Sequence, residues 1–195
     1  IDTSVFKPRD KQKCRQELGL PAEKRIVLVV AKGGQFNPWK GGEYAQEAIK
    51  ALKSDYRAFF VDLGGDTNQT ADNVKMVSFI GNEDLLVKYY SAADMLLYPS
   101  IADNCPLVVL EAMACGLPVV SFNTGGIPEL IEHKMNGYIA KYKDADDLKN
   151  GVEYLLNLPV HETEKMGQYS VNKIQAGFTI QKMTNQYIEL YKSLL

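Results

Sequence analysis

Apolar residues in this chain fall into short continuous runs, separated by longer stretches where they recur every three or four positions. The run Ile26-Val27-Leu28-Val29-Val30-Ala31 shows no polar alternation and is rich in β-branched side chains, so it predicts a strand buried on both faces. Ala58 to Leu63 predicts a second strand, ending in Gly64-Gly65, and Val74 to Phe79 a third, closed by Gly81. Asp94 to Tyr98, Leu117 to Phe122 and Gly137 to Ala140 predict a fourth, a fifth and a short sixth. Helical spacing lies between them: Arg9 to Leu18 (stopping at Gly19), Glu43 to Leu52, Glu83 to Ala92 with Asn82 as its cap, and Pro106 to Ala114. Ala145 to Asn157, Glu162 to Gln175 and Ile180 to Leu195 predict closing helices.

Strand and helix in turn imply right-handed crossovers and a parallel sheet with helices on both faces. The expected fold class is α/β: one doubly wound domain of three layers, α/β/α, over residues 1–195. In such a sheet a ligand lies beyond the carboxyl ends of the strands.

Composition narrows the function classes. With 195 residues, 46% of them hydrophobic, the chain can bury one full core. A formal charge of −2 gives no general pull towards nucleic acid or acidic lipid. The longest apolar runs are far too short to cross a bilayer, and nothing resembles a signal peptide. The cysteines, at 14, 105 and 115, form no Cys-x-x-Cys pair, and the histidines, 133 and 161, lie in polar surroundings. This argues against a disulfide framework and a structural zinc site, and makes a reducing cytoplasm the simplest setting.

The chemistry concentrates between Tyr98 and Glu129. Asp103 and Glu111 bracket a loop that leads into a short apolar helix, followed by a Gly116-Leu117-Pro118 turn, a buried strand and a second loop with Gly125-Gly126. Glu111 sits among Val108, Val109, Leu110, Ala112 and Met113, where a buried carboxylate needs a partner; its two oxygens suit a cis-diol such as ribose. Free amides at the helix entry, over Asn104, Cys105, Pro106, Leu107 and Val108, make an anion site suited to a pyrophosphate. Pro106 fits the first helical turn, where its missing N–H costs nothing. Lys40, in Asn37-Pro38-Trp39-Lys40-Gly41-Gly42, is a cation suited to a leaving phosphate.

These residues resemble the donor-binding signature of the family 4 retaining glycosyltransferases, which have the two-domain GT-B architecture. Members show Pro-Ser, an acidic residue, seven intervening residues and then Glu-Ala-Met-Ala-x-Gly-x-Pro-Val. Here Pro99-Ser100 precedes Asp103, and Glu111 to Val119 follows at that spacing. The likeness runs nearly end to end: residues 1–20 resemble the linker into the second domain, Asn37 to Gly41 the Lys-Gly loop, and residues 179–195 the closing helix. The resemblance implies a Rossmann-like domain forming the C-terminal half of a GT-B fold, with the N-terminal acceptor domain absent. It implies a nucleoside diphosphate sugar as donor and a carbohydrate or lipid-linked acceptor, in polysaccharide or glycolipid synthesis.

The resemblance also implies roles. Glu111 holds the ribose, Asp103 touches the sugar and Lys40 meets the leaving diphosphate; these three are the candidate catalytic residues. Phe79, Ile80 and Gly81 cradle the base, partly through backbone, and Asn104, Cys105, Leu107, Val108, Gly125 and Gly126 lie near the phosphates or sugar. Asp103 stands where the family usually has Glu, one methylene shorter. Gln35 stands where an Arg usually accompanies the lysine, and Lys32 is the candidate substitute. Neither metal nor other cofactor is expected, nor nucleic acid, and the setting is cytoplasmic, with room for peripheral membrane association of a full-length enzyme. Asp144-Ala145-Asp146 has metal-motif spacing but reads as a helix start.

Three rivals remain open on sequence. A dinucleotide-dependent oxidoreductase lacks its Gly-x-Gly-x-x-Gly after the first strand. A GT-B-type sugar-nucleotide epimerase would turn over donor without acceptor. A non-catalytic nucleotide-sugar-binding domain would tolerate loss of Glu111.

Overall fold

The computed structural model describes residues 1–30, 38–52, 58–65, 68–71 and 73–194. Helix α1 (Lys11–Leu18) leads into β1 (Arg25–Val30), and a 3-10 turn (Pro38–Lys40) leads into α2 (Gly42–Leu52). Then follow β2 (Ala58–Gly65), β3 (Gln69–Ala71), β4 (Val74–Ser78), α3 (Glu83–Ala92), β5 (Met95–Tyr98), α4 (Leu107–Ala114) and β6 (Val119–Phe122). The short α5 (Ile127–Leu130), β7 (Gly137–Ala140), α6 (Ala145–Asn157), α7 (Val160–Gly177) and α8 (Ile180–Ser193) complete the chain.

The sheet runs β3-β4-β2-β1-β5-β6-β7. All pairings are parallel except β3 with β4, which is antiparallel. The expected all-parallel sheet is thus corrected by one edge strand: Gln69-Thr70-Ala71 carries no apolar pattern and extends only because β4 offers it a partner. The chain winds outward from β1 through β2 to β4, then returns to β5 on β1's other side. The switch point therefore lies between the carboxyl ends of β1 and β5.

Alternation along the strands divides the core. Ile26 and Leu28 face one layer, with Val87 of α3 and Val109 and Met113 of α4. Val27 and Val29 face the other, with Ala45 and Ala48 of α2 and Leu148 and Val152 of α6. Below the sheet, buried Asp94 takes Arg15 at 2.6 Å, Lys11 at 2.9 Å and the Ile26 N–H at 2.7 Å, pinning α1 to the strands. Helix ends follow their chemistry: Asn82 accepts from the Leu85 N–H at 3.0 Å, and Gly19 closes α1 at φ 61°. Pro106 is the N-cap of α4 rather than a residue of its first turn, because its ψ of 96° is extended. Helix α8 has no buried residue; Ile180, Met183, Tyr187 and Tyr191 are exposed along it.

Candidate functional site

The loops that follow β1 and β5 are forced together by glycine. Gly41 has φ 62°, and a Cβ there would lie 1.9 Å from the Pro99 carbonyl oxygen, so the turn carrying Lys40 can press against the end of β5 only with glycine. The Trp39 carbonyl accepts the Ile101 N–H and the Ser100 hydroxyl, each at 3.0 Å. This contact brings Lys40 Nζ to 2.8 Å from Asp103 Oδ2 and 3.1 Å from the Tyr98 hydroxyl. Tyr98 donates to that same Oδ2 at 2.7 Å. Burial alone would raise the Asp103 pKa; the Lys40 ammonium and the Tyr98 hydroxyl outweigh it and hold the carboxyl below its ordinary range. Burial likewise works against the Lys40 charge, and its bonds to Asp103 and Tyr98 more than offset that, raising its pKa.

A second clamp lies behind Asp103. Gly125, at φ 51°, would put a Cβ 2.1 Å from the Asp103 carbonyl oxygen, and Gly126 would put one 2.2 Å from that of Asn104. The Gly126 N–H donates to the Asp103 carbonyl at 3.1 Å. The two glycines stand behind the Asp103–Asn104 turn rather than on the wall of the cleft.

Glu111 projects from α4, and its Oε2 accepts a hydrogen bond from Tyr90 of α3 at 2.9 Å. The apolar neighbourhood thus supplies the partner that a buried carboxylate requires. Burial raises the Glu111 pKa, the Tyr90 bond pulls it back and Glu83 pushes it up, with a net rise. The Tyr90 hydroxyl is itself pushed well above its usual value by burial, reinforced by Glu111.

Lys40, Asp103, Glu111, Tyr90 and Tyr98 all line one cavity of about 400 Å³ at the switch point. Val30, Leu63, Gly64, Phe79, Ile80 and Leu86 form its apolar wall, and Cys105, Leu107 and Val108 form its edge at α4. Pro106 caps α4 without a side-chain bond, and its carbonyl accepts the Val109 and Leu110 amides at 3.0 and 3.2 Å. The Leu107 and Val108 amides, one step earlier, have no carbonyl to bond within the helix. Leu107 and Val108 line the same cleft, at the positive end of the helix dipole.

Of the residues singled out on sequence, Lys40, Phe79, Ile80, Asp103, Cys105, Leu107, Val108 and Glu111 meet here. Asn104 and Gly81 are exposed and lie off the cavity wall, and Lys32 falls outside the described residues. Tyr90 and Tyr98 escaped the sequence reading because apolar neighbours make them look like core; the place of Tyr98 directly before Pro99-Ser100 was the available signal. His133 and His161 are exposed, as their polar surroundings suggested. Among the described residues no group of His, Cys, Asp and Glu gathers to hold a metal ion, and no helix is long and apolar enough to cross a membrane.

A cleft at the switch point of such a sheet, with paired carboxylates and a helix N-terminus, is the arrangement of the C-terminal half of a GT-B glycosyltransferase. Residues 10–173 match the family Glycosyl transferases group 1, and the chain belongs to it. N-acetyl-alpha-D-glucosaminyl L-malate synthase of Bacillus anthracis is 26% identical, across 100% of this chain and 52% of that protein. Sucrose-phosphate synthase of Thermosynechococcus elongatus superposes with a TM-score of 0.85 at 26% identity, over 100% of this chain and 51% of that one. HepE of Anabaena, solved in complex with UDP-glucose, has the same fold: TM-score 0.82 at 22% identity, over 99% of this chain and 56% of its own. The chain spans about half the length of these relatives.

Proposed function

We propose that this chain is the donor-binding domain of a retaining glycosyltransferase that moves a sugar from a nucleoside diphosphate sugar to an acceptor hydroxyl. The observation that carries this reading is the convergence of Lys40, Asp103 and Glu111 on one cavity at the N-terminus of α4. The base lies against the apolar wall at Phe79 and Ile80. Glu111, oriented by Tyr90, takes the ribose diol through its two oxygens. The diphosphate sits over the Leu107 and Val108 amides with Lys40 beside it, and Asp103 faces the sugar. As the bond between C1 and the β-phosphate oxygen breaks, the diphosphate leaves with the electron pair. The acceptor oxygen bonds to C1 on the same face and passes its proton to the departing phosphate oxygen. Lys40 and the helix amides meet the charge of the leaving group, so this reading calls for no divalent metal.

The acceptor, a carbohydrate or lipid-linked hydroxyl in polysaccharide or glycolipid synthesis, belongs to the rest of the enzyme. That remaining portion docks against the apolar stripe of α8, whose residues none of the described residues buries.

The test is an NMR titration of the chain with UDP, GDP, ADP and their sugars in EDTA. The reading requires shifts in the residues lining the cleft for one nucleoside diphosphate, abolished in Glu111→Ala. Silence across the panel in the full-length protein would refute it. Donor turnover without an acceptor would instead favour an epimerase.

A further inference from the structure

Glu111 and Asp103 each take a hydrogen bond from a tyrosine whose ring is otherwise sealed in the core. Tyr90 is 0% exposed and Tyr98 2% exposed. Tyr90 packs from α3 among apolar neighbours, and Tyr98 is the last residue of a wholly buried strand. At such positions phenylalanine would fill the same space without a hydroxyl to desolvate, so the hydroxyl must be justified by what it bonds. In both cases that partner is a carboxylate on the cleft wall.

We propose that Tyr90 and Tyr98 are positioning residues, one for each carboxylate, and that they divide the donor between them: Tyr90 fixes Glu111 for the ribose and Tyr98 fixes Asp103 for the sugar. The division rests on the donor reading given above. Tyr98 has a further part, because its oxygen accepts from Lys40 while its proton goes to Asp103. An arriving diphosphate draws the Lys40 ammonium off Asp103. Tyr98 stays, so the carboxylate keeps its orientation and a donor. Tyr90 has no such neighbour; it holds Glu111 whether or not phosphate is bound.

The two roles separate on measurement. UDP, GDP and ADP, and the glucose and N-acetylglucosamine conjugates of the one that binds, are titrated calorimetrically into the wild type, Tyr98→Phe and Tyr90→Phe. Tyr98→Phe should keep the diphosphate affinity within about twofold and lose about tenfold in the affinity that the sugar adds, the cost of one bond to a charged group. Tyr90→Phe should weaken diphosphate and conjugate alike by about tenfold, since both carry the ribose. A second readout needs no ligand: carbon-13 titration of the two side-chain carboxyls in the free protein. Asp103 faces Lys40, Tyr98 and the Cys105 N–H; Glu111 faces Tyr90 and Glu83. The Asp103 midpoint should rise only in Tyr98→Phe, and that of Glu111 only in Tyr90→Phe. Midpoints that do not move, a Tyr98→Phe that weakens diphosphate as much as conjugate, or a Tyr90→Phe that spares the diphosphate, overturn the proposal. A full-length wild type that binds none of the diphosphates overturns the donor reading and with it the division of labour; the carboxyl titrations then decide separately whether the tyrosines hold their carboxylates.

Discussion

Lys40 Nζ lies 2.8 Å from Asp103 Oδ2, so the site's described cation and the carboxylate nearest it neutralise one another before any ligand arrives. An anionic ligand must therefore compete with Asp103 for Lys40. Replacing Lys40 by Met should cost roughly 1.5–3 kcal/mol of diphosphate binding, or about 10- to 150-fold in affinity. Folding stability should change by less than about 1 kcal/mol, because the pair is partly exposed and solvent screens it. Calorimetry with the diphosphate that binds, set against urea unfolding, separates the two. A large stability loss with intact affinity would make the pair architectural.

Asp103 is placed by glycine as much as by Lys40. Gly125→Ala adds a Cβ 2.1 Å from the Asp103 carbonyl oxygen at a residue with φ 51°, so the turn must move. A loss of about 2 kcal/mol in stability is expected, with Asp103 drawn off Lys40 and its pKa returning upward. Gly19→Ala is the control. Its φ of 61° strains an added side chain, but nothing lies within 4 Å of it. It should cost about 1 kcal/mol and leave the Asp103 carboxyl shift in place. If both variants left that NMR shift unchanged, the clamp would have no part in placing Asp103.

The sequence patterns found every buried strand, because a strand covered on both faces must be continuously apolar, and Ile26 to Val30 can be little else. They could not find Gln69–Ala71, whose extension depends on β4. Within the site, Glu111 was legible from its apolar helix neighbours, and Asp103 and Lys40 from their motifs. Their mutual bond was not, since 63 residues separate them and only the fold brings them together. Gly125 and Gly126 were legible as a tight loop where backbone approaches closely, but their approach to the Asp103–Asn104 turn was not, since only the fold brings the two loops together.

The Glu111 carboxyl, placed on the donor cleft in the reading proposed above, makes stability depend on pH. Burial raises its folded pKa above the unfolded value, so the folded state holds the proton more tightly. Its contribution is favourable at low pH and is lost as pH rises from the ordinary glutamate range through the folded pKa. Glu111→Gln should therefore be more stable than wild type at pH 7 and no more stable at pH 3.5, while binding nucleotide more weakly. Denaturant midpoints at the two pH values check the first statement, and calorimetry the second. A variant less stable at pH 7 would mean that the Tyr90 bond outweighs the burial.

Asp62 offers the same reasoning away from the cleft, with a larger effect. It lies in β2 opposite Val29 and Met76, on the alternation that turns Ala58 and Phe60 towards α2, and burial is what acts on its carboxyl. Burial pushes its pKa up to about 6, from an ordinary value of 3.8. The unfolded chain ionises near pH 4 and the folded chain near 6, so stability falls as pH rises across that window and the loss persists above it. A shift of this size corresponds to about 3 kcal/mol at pH 7. Asp62→Asn keeps the shape and removes the titration. Its urea midpoint at pH 7 should exceed that of wild type by up to that amount, and at pH 3.5 the two should coincide. An equal gain at both pH values would assign the effect to packing, and no gain at pH 7 would mean that the ionised carboxylate is solvated in place.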